Sequence, residues 1–381
     1  MQITTKRALV TIFTASVCVA AFSFSAPARA ASSKGKESQL YVYGGITTVV
    51  QKIKSSAPET DVGRFGSALS ADLFLEKEVY DGKALLYLNH SQGYDPLPSS
   101  NGDYEGATNK LGEPSYDEGF SDTRIAEAFY EAPLTRALTV TVGMFSPQRY
   151  FDNNAVASDQ TRQFLGNPLI NNSAIEFPGH RAVHAYPGGI RLSAPFGKHV
   201  TLQGGLFEDA KDYSGTFGHT FAIAEADLTF GAEDAATNVR LITWKSNKNQ
   251  TSGLALSADK NFGNDFSVFA RYGNKTLPNT SPDPEMYDLE HSLKTAFSFG
   301  GQVLLREVFT AGLGYCAETP NAATLAKDTW IEAYLSYEVN DSVHLTLDYQ
   351  SIKNKYFAGT INGPVTVDSA TVVAGRLQVD F

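Results

Sequence analysis

Cysteine is almost missing: Cys18 and Cys316 are the only two in 381 residues. Cys18 lies in an N-terminal targeting segment, so Cys316 is left alone and an internal disulfide framework is excluded. Its expected place is as a small, semi-apolar side chain in a strand. Basic charge is scarce too. Lys and Arg number 31 against 41 Asp and Glu, a formal net charge of −10. Nucleic-acid surfaces concentrate Lys and Arg, so that class of partner is excluded. Long apolar runs are missing after residue 24, where no stretch reaches the roughly 18 residues of a membrane-spanning helix. Recognisable catalytic and metal motifs are missing as well. His180 and His184 stand four apart, but Pro178, Gly179 and Pro187 break any helix that would pair them. No cofactor and no metal are expected.

What is present points to strands. Phe (24), Tyr (18) and Gly (32) are abundant, while Met numbers 3. Aromatics favour pleated surfaces and glycine favours turns. So aromatic a chain also has a core to build, which excludes disorder.

Residues 1–30 read as a secretory signal peptide. Lys6 and Arg7 form the positive start, Ala8 to Phe24 the apolar run, and Ala28-Arg29-Ala30 the cleavage site. A short uncleaved anchor is the alternative. A lipoprotein reading through Cys18 is disfavoured by bulky Val17 before it and apolar sequence after it. Residues 31–381 are then one domain.

That domain alternates apolar and polar residues many times over. Val373, Gly375, Leu377, Val379 and Phe381 share one face; Ala374, Arg376, Gln378 and Asp380 share the other. The expected strands are 38–50, 62–79, 83–91, 122–134, 138–146, 183–196, 200–210, 219–230, 237–248, 252–262, 266–275, 293–305, 307–318, 328–339, 343–354 and 372–381. Links after even strands are short, as at Asp81-Gly82 and Asn340-Asp341-Ser342. Links after odd strands are mostly long, with Asn249-Gln250-Thr251 the exception. The expected fold is all-β: a transmembrane antiparallel barrel of sixteen strands with short periplasmic turns and long extracellular loops. A barrel satisfies every backbone polar group in lipid, which an open sheet does not. A secreted sandwich shares the period but not the one-sided loop lengths.

Sixteen strands about 4.8 Å apart and tilted about 40° enclose a backbone diameter of about 30 Å. Side chains do not fill that width, so a water-filled lumen follows. The third long loop, 147–182, is expected to fold inward and narrow it. Phe151, Phe164, Leu165, Leu169, Ile170, Ile175 and Phe177 are too apolar to stand in solvent. One or two helical turns are expected over Ser158–Gly166, capped by Ser158 or Asp159 and ended by Gly166. Arg149, Asp152, Asp159, Arg162, Glu176 and Arg181 would then project into the channel. An external loop packed over the rim is the other possibility. Strand parity turns Arg191, Arg240, Trp244, Arg271, Asp348, Gln350 and Arg376 inward, with Glu225, Asp227 and Glu332. Mixed signs do not make a simple ion filter. Planar Arg, carboxylate and amide groups beside aromatics suit uncharged solutes with many hydroxyls. The acidic loops, Asp95, Asp103, Glu105, Glu113, Asp117 and Glu118, hold divalent cations or keep the surface hydrated.

The run from Leu138 to Gly179, LTVTVGMFSPQRYFDNNAVASDQTRQFLGNPLINNSAIEFPG, resembles the inward-loop region of carbohydrate-selective porins of the OprB type. YPGGIRLSAPFG, VRLITWKSN, SGLALSADKNFGNDFSVFARYGN, FSFGGQVL and LTLDYQSIKN resemble later strands of that family, in order. The resemblance implies a Gram-negative outer-membrane barrel passing small sugars passively, with charged side chains at its constriction. It places Arg149, Asp159 and Arg162 in the inward loop and Arg271 in the FARYG strand. Expected partners are outer-membrane lipid, lipopolysaccharide and sugar solutes. Terminal Phe381 resembles the signal read by the barrel-assembly machinery. Monomer and homotrimer both stay open. A porin for a siderophore, organic acid or peptide is the competing transport reading. An outer-membrane hydrolase would need a nucleophile–base pair near the rim, and none is recognisable.

Overall fold

The computed structural model describes residues 39–57, 63–97, 108, 120–178, 186–209, 218–232, 235–263, 265–282, 289–290, 292–357 and 365–381. The expected signal segment, residues 1–30, lies outside them.

Alternation produces sixteen strands: β1 (Leu40–Ala57), β2 (Phe65–Val79), β3 (Gly82–Tyr94), β4 (Phe120–Thr135), β5 (Leu138–Met144), β6 (Gly188–Phe196), β7 (Val200–Glu208), β8 (Thr220–Phe230), β9 (Thr237–Ser246), β10 (Thr251–Phe262), β11 (Phe266–Thr276), β12 (Leu293–Leu305), β13 (Phe309–Pro320), β14 (Asp328–Asn340), β15 (Val343–Phe357) and β16 (Val365–Asp380). Each pairs antiparallel with its neighbours, and β1 pairs with both β2 and β16, so the barrel closes. Backbone bonds between Gly44 and Phe381, 2.9 and 3.0 Å, finish that seam. Closure leaves no edge strand with unpaired amides.

Several strands outrun their expected ends. β1 continues to Ala57 and β16 begins at Val365, seven residues outside each expected limit. The alternation fades there (Ser55-Ser56), but the ladder runs on, pairing Ser55 with Thr371 and Ala57 with Ser369. Backbone pairing needs no apolar face, so hairpins extend past the patterned band.

The two faces separate as parity requires. Leu241, Leu254, Leu313, Leu335, Leu345 and Leu347 are exposed on the outside. Inside, Thr47, Ser257, Arg271, Glu332, Gln350 and Arg376 are buried. A departure that matters for the interior occurs on β4. Ala126 and Glu127 are consecutive yet both buried, because the β3–β4 register shifts between Tyr87 and Leu88. Such a bulge re-aims side chains, and here it turns Glu127 inward. The Ala126 carbonyl also accepts a bond from Tyr186 N–H, 3.1 Å, at the return of the third loop.

Candidate functional site: the inward loop and the lumen wall

The chain leaves β5 and turns into the barrel. Phe145 is fully buried against Phe129, Tyr150 and Phe207, with centroids 5.2 to 5.6 Å from Phe207 and Phe129. A 3-10 turn, Pro147–Arg149, follows. Glu127 holds it, accepting from Ser146 N–H at 2.9 Å and pairing with the Arg149 guanidinium. The bulge on β4 is what makes that clamp.

Four charged wall residues then grip the loop by its backbone. Glu225 on β8 accepts from Asp152 N–H at 2.8 Å. Arg271 on β11 donates to the carbonyls of Leu169 (2.8 Å) and Ala157 (3.2 Å) and to Ser158 Oγ (3.0 Å). Its Nε also pairs with the Asp152 carboxylate, 3.2 Å, and both side chains are about 1% exposed. Glu332 on β14 accepts from the N–H groups of Leu165 and Gly166. Arg376 on β16 donates to the Gln160 and Gln163 carbonyls, both at 2.6 Å. Charge-assisted hydrogen bonds to the backbone are stronger than neutral ones, and buried charges need such partners.

Apolar packing supplies the rest. Phe164 lies between Phe269 and Tyr334, 5.8 and 5.1 Å away. Cys316 joins this buried cluster, with Leu169 and Trp330. The inner wall leaves room by using glycine. A Cβ on Gly314 would come within 2.9 Å of Phe164 and 3.0 Å of Leu169. One on Gly273 would come within 2.5 Å of Ala174.

Helix position differs from expectation. Residues 160–162 form one turn, with Asp159 Oδ1 accepting from Thr161 N–H at 2.8 Å. Gly166 does not end that turn. It precedes the short helix α1, Asn167–Ile170, which carries Pro in its first turn. Proline is tolerated there because its missing N–H would be unsatisfied anyway.

Burial divides the expected lumen residues. Asp152 on the loop and Trp244, Arg271, Asp348, Gln350 and Arg376 on the wall do not line open space: all are buried beneath the loop or its neighbours. The correction has one cause. The loop covers the wall it stands on, so inward and water-facing are different things. Arg149, Asp159, Arg162, Arg191 and Arg240 keep partial exposure. Glu176 instead closes the far end of the loop, on Lys275 (2.6 Å) and Thr251 (2.5 Å). Burial opposes its charged form, but Lys275 and the hydroxyl and amide donors outweigh it and lower its pKa. Arg181, His180 and His184 lie outside the described residues.

Toward the short-turn end, the wall carries a charged girdle. Arg191 lies 4.0 Å over the Tyr150 ring and 3.5 Å from Glu131. Gln203 bridges Arg191 to Glu225, at 2.8 and 2.5 Å. Arg240 pairs with Asp259 (2.5 Å) and Asp227 (3.3 Å). Parity alone did not single out Glu127, Glu131 or Gln203. The break in alternation at Ala126-Glu127 is the signal that would have found the first.

A second loop also enters the barrel. Asp95, Leu97 and Thr108, between β3 and β4, are fully buried. Gln51 and Gln350 both donate to the Thr108 carbonyl, 3.1 and 2.8 Å. Asp95, expected in a hydrated acidic loop, instead accepts from Leu97 N–H and Thr108 N–H and Oγ1. The other five acidic loop residues named above lie outside the described residues.

No family profile matches the chain. An uncharacterized protein of Aquifex aeolicus (strain VF5) is 25% identical over 291 residues, covering 76% of this chain and 81% of that one. Among solved structures, Pseudomonas putida OprB superposes with a TM-score of 0.65 at 13% identity, covering 90% of this chain and 94% of its own. The outer membrane channel DcaP of Acinetobacter baumannii gives 0.56 at 13% identity, over 90% and 97%. An anion-selective porin from Comamonas acidovorans gives 0.56 at 15%, over 91% and 100%. Closed wall, inward loop and structural likeness agree: the chain has the fold of the sixteen-stranded porins, OprB among them.

Proposed function

We propose that this protein is an outer-membrane porin through which small sugars diffuse passively. One observation carries the reading: a closed sixteen-stranded wall holds a loop inside itself by its own charged residues. A barrel whose role is only structural has no need to fix a loop across its interior. The loop narrows a lumen that side chains do not fill. Arg149, Asp159, Arg162, Arg191 and Arg240 then meet the passing solute, with Tyr150 and Phe74 beside them. Guanidinium and carboxylate pairs that already neutralise each other suit hydroxyl-rich, uncharged molecules. The likeness to OprB supports the same choice.

Residues 1–30 serve as a cleaved export signal, and Phe381 as part of the assembly signal. The exposed apolar band faces lipid. No enzyme activity is assigned. Liposome swelling tests the reading: monosaccharides should enter faster than amino acids of equal size. Equal rates would make the channel a general one. Faster entry of organic acids, peptides or a siderophore would move it to the competing class.

A further inference from the structure

We propose that the inner wall at the short-turn end of the barrel holds a sugar subsite built on the ring of Tyr43 and the Asp380–Arg162 pair. The inference rests on the sugar-porin reading and names where in the lumen a pyranose would bind.

Tyr43, Phe74 and Tyr87 sit opposite one another on β1, β2 and β3. Their rings stack in a row, 5.1 and 4.4 Å between centroids and 12° and 14° between planes. Tyr87 donates to Asp72 at 2.5 Å, and Arg149 lies 5.9 Å over Phe74, which fixes the row from two sides. Tyr43 is the end member. Phe74 covers one of its faces, no other described ring stacks on the second, and the residue is 42% exposed.

Polar groups gather one inward position further along β1, where Gly45 pairs with Asp380 of β16. Gly45, the next inward position on β1, has no side chain to intervene. Asp380 Oδ1 comes within 3.0 Å, and Gln378 Nε2 within 2.6 Å, of where its Cβ would stand. Gln378 donates to Asp380 at 2.6 Å, and Arg162 of the inward loop pairs with the same carboxylate. Both members of that pair keep open surface, 44% for Arg162 and 32% for Asp380. The sealed contacts of Arg271 and Arg376 only hold the loop. This pair is held and still reachable.

An apolar ring face beside a carboxylate, a guanidinium and an amide matches one solute chemistry. The C–H face of a pyranose lies on the ring, and its equatorial hydroxyls reach donors and acceptors at the edge. An aliphatic amino acid has no such flat apolar face and brings charges that compete with the existing pair.

The test is the current through single channels in planar bilayers as glucose is added. The wild-type current should fall saturably. Tyr43→Ala should raise the half-effect concentration by at least roughly threefold, from the loss of one stacking contact. Tyr43→Phe should match the wild type, and Asp380→Asn should shift in the same direction as alanine. Tyr43→Leu gives a second measure where alanine does not assemble, checked by heat-modifiable gel mobility. An unshifted glucose response in folded Tyr43→Ala or Tyr43→Leu overturns the subsite. Where wild-type liposomes still prefer sugars, that result leaves the porin reading standing. A wild type with no sugar preference in swelling overturns both.

Discussion

Arg271→Met should loosen the inward loop while leaving the barrel closed. Arg271 is 2% exposed, and its guanidinium meets the carbonyls of Ala157, Leu169 and Asp152, Ser158 Oγ and the Asp152 carboxylate. Methionine keeps the aliphatic stem and loses all of these. Asp152 is left as a buried charge without its cation. Breaking a buried pair on one side costs about 3–5 kcal/mol. The sheet hydrogen bonds of β11 to β10 and β12 do not pass through this side chain. The cost therefore falls on docking of the loop. At about 1.4 kcal/mol per tenfold, the undocked population rises by roughly two to three and a half orders of magnitude. Single-channel recording should show a larger, noisier conductance, and liposome swelling should show weaker discrimination among solutes of equal size. Adding Asp152→Asn removes the stranded charge and should restore part of the quiet, narrow state. A variant with wild-type conductance, noise and solute order would refute the anchoring role.

Gly314→Leu should also displace the loop, because its side chain would enter space held by Phe164 and Leu169; limited proteolysis of the folded protein should then cut within 147–178. Glu176 has a lowered pKa, so its contribution to loop docking is complete above the ordinary carboxylate range and is lost as pH falls through the lowered value. Current noise should rise on acidification to that point, and Lys275→Met should move the onset to higher pH. Arg162→Ala should change conductance or solute preference with little loss of stability, since both members of its pair keep open surface and solvent-accessible pairs contribute about 0–1 kcal/mol; unchanged currents would count against its place in the lumen. Deleting Phe381 removes the backbone bonds to Gly44 at the β1–β16 seam and should lower the yield of assembled barrel on heat-modifiable gels.

Strand alternation is a local property, and it carried far. Leu377 and Val379 against Arg376 and Gln378 needed no tertiary information, because a period of two fixes which side chains share a face. Glu127 shows where that logic fails. A single bulge reverses parity beyond it, and a bulge is set by the pairing partner as much as by its own residues. The loop's apolar content showed that 147–182 would bury itself. Its helical turns were misplaced at Gly166, because Glu332, 166 residues further along, holds that N–H at 2.8 Å. The second inward loop went unread for a related reason. Asp95 and Thr108 look like solvated loop residues until Gln51 and Gln350 are brought to face them.

The sequence by itself determined a closed barrel with an apolar outer face, since alternation, strand count and loop asymmetry are repeated many times and local errors cancel. Only the tertiary structure decided which inward charges meet water and which are sealed. Arg271 and Arg191 have the same parity and the same chemistry. One lies under the loop and the other beside the lumen, and that difference depends on where a distant segment comes to rest.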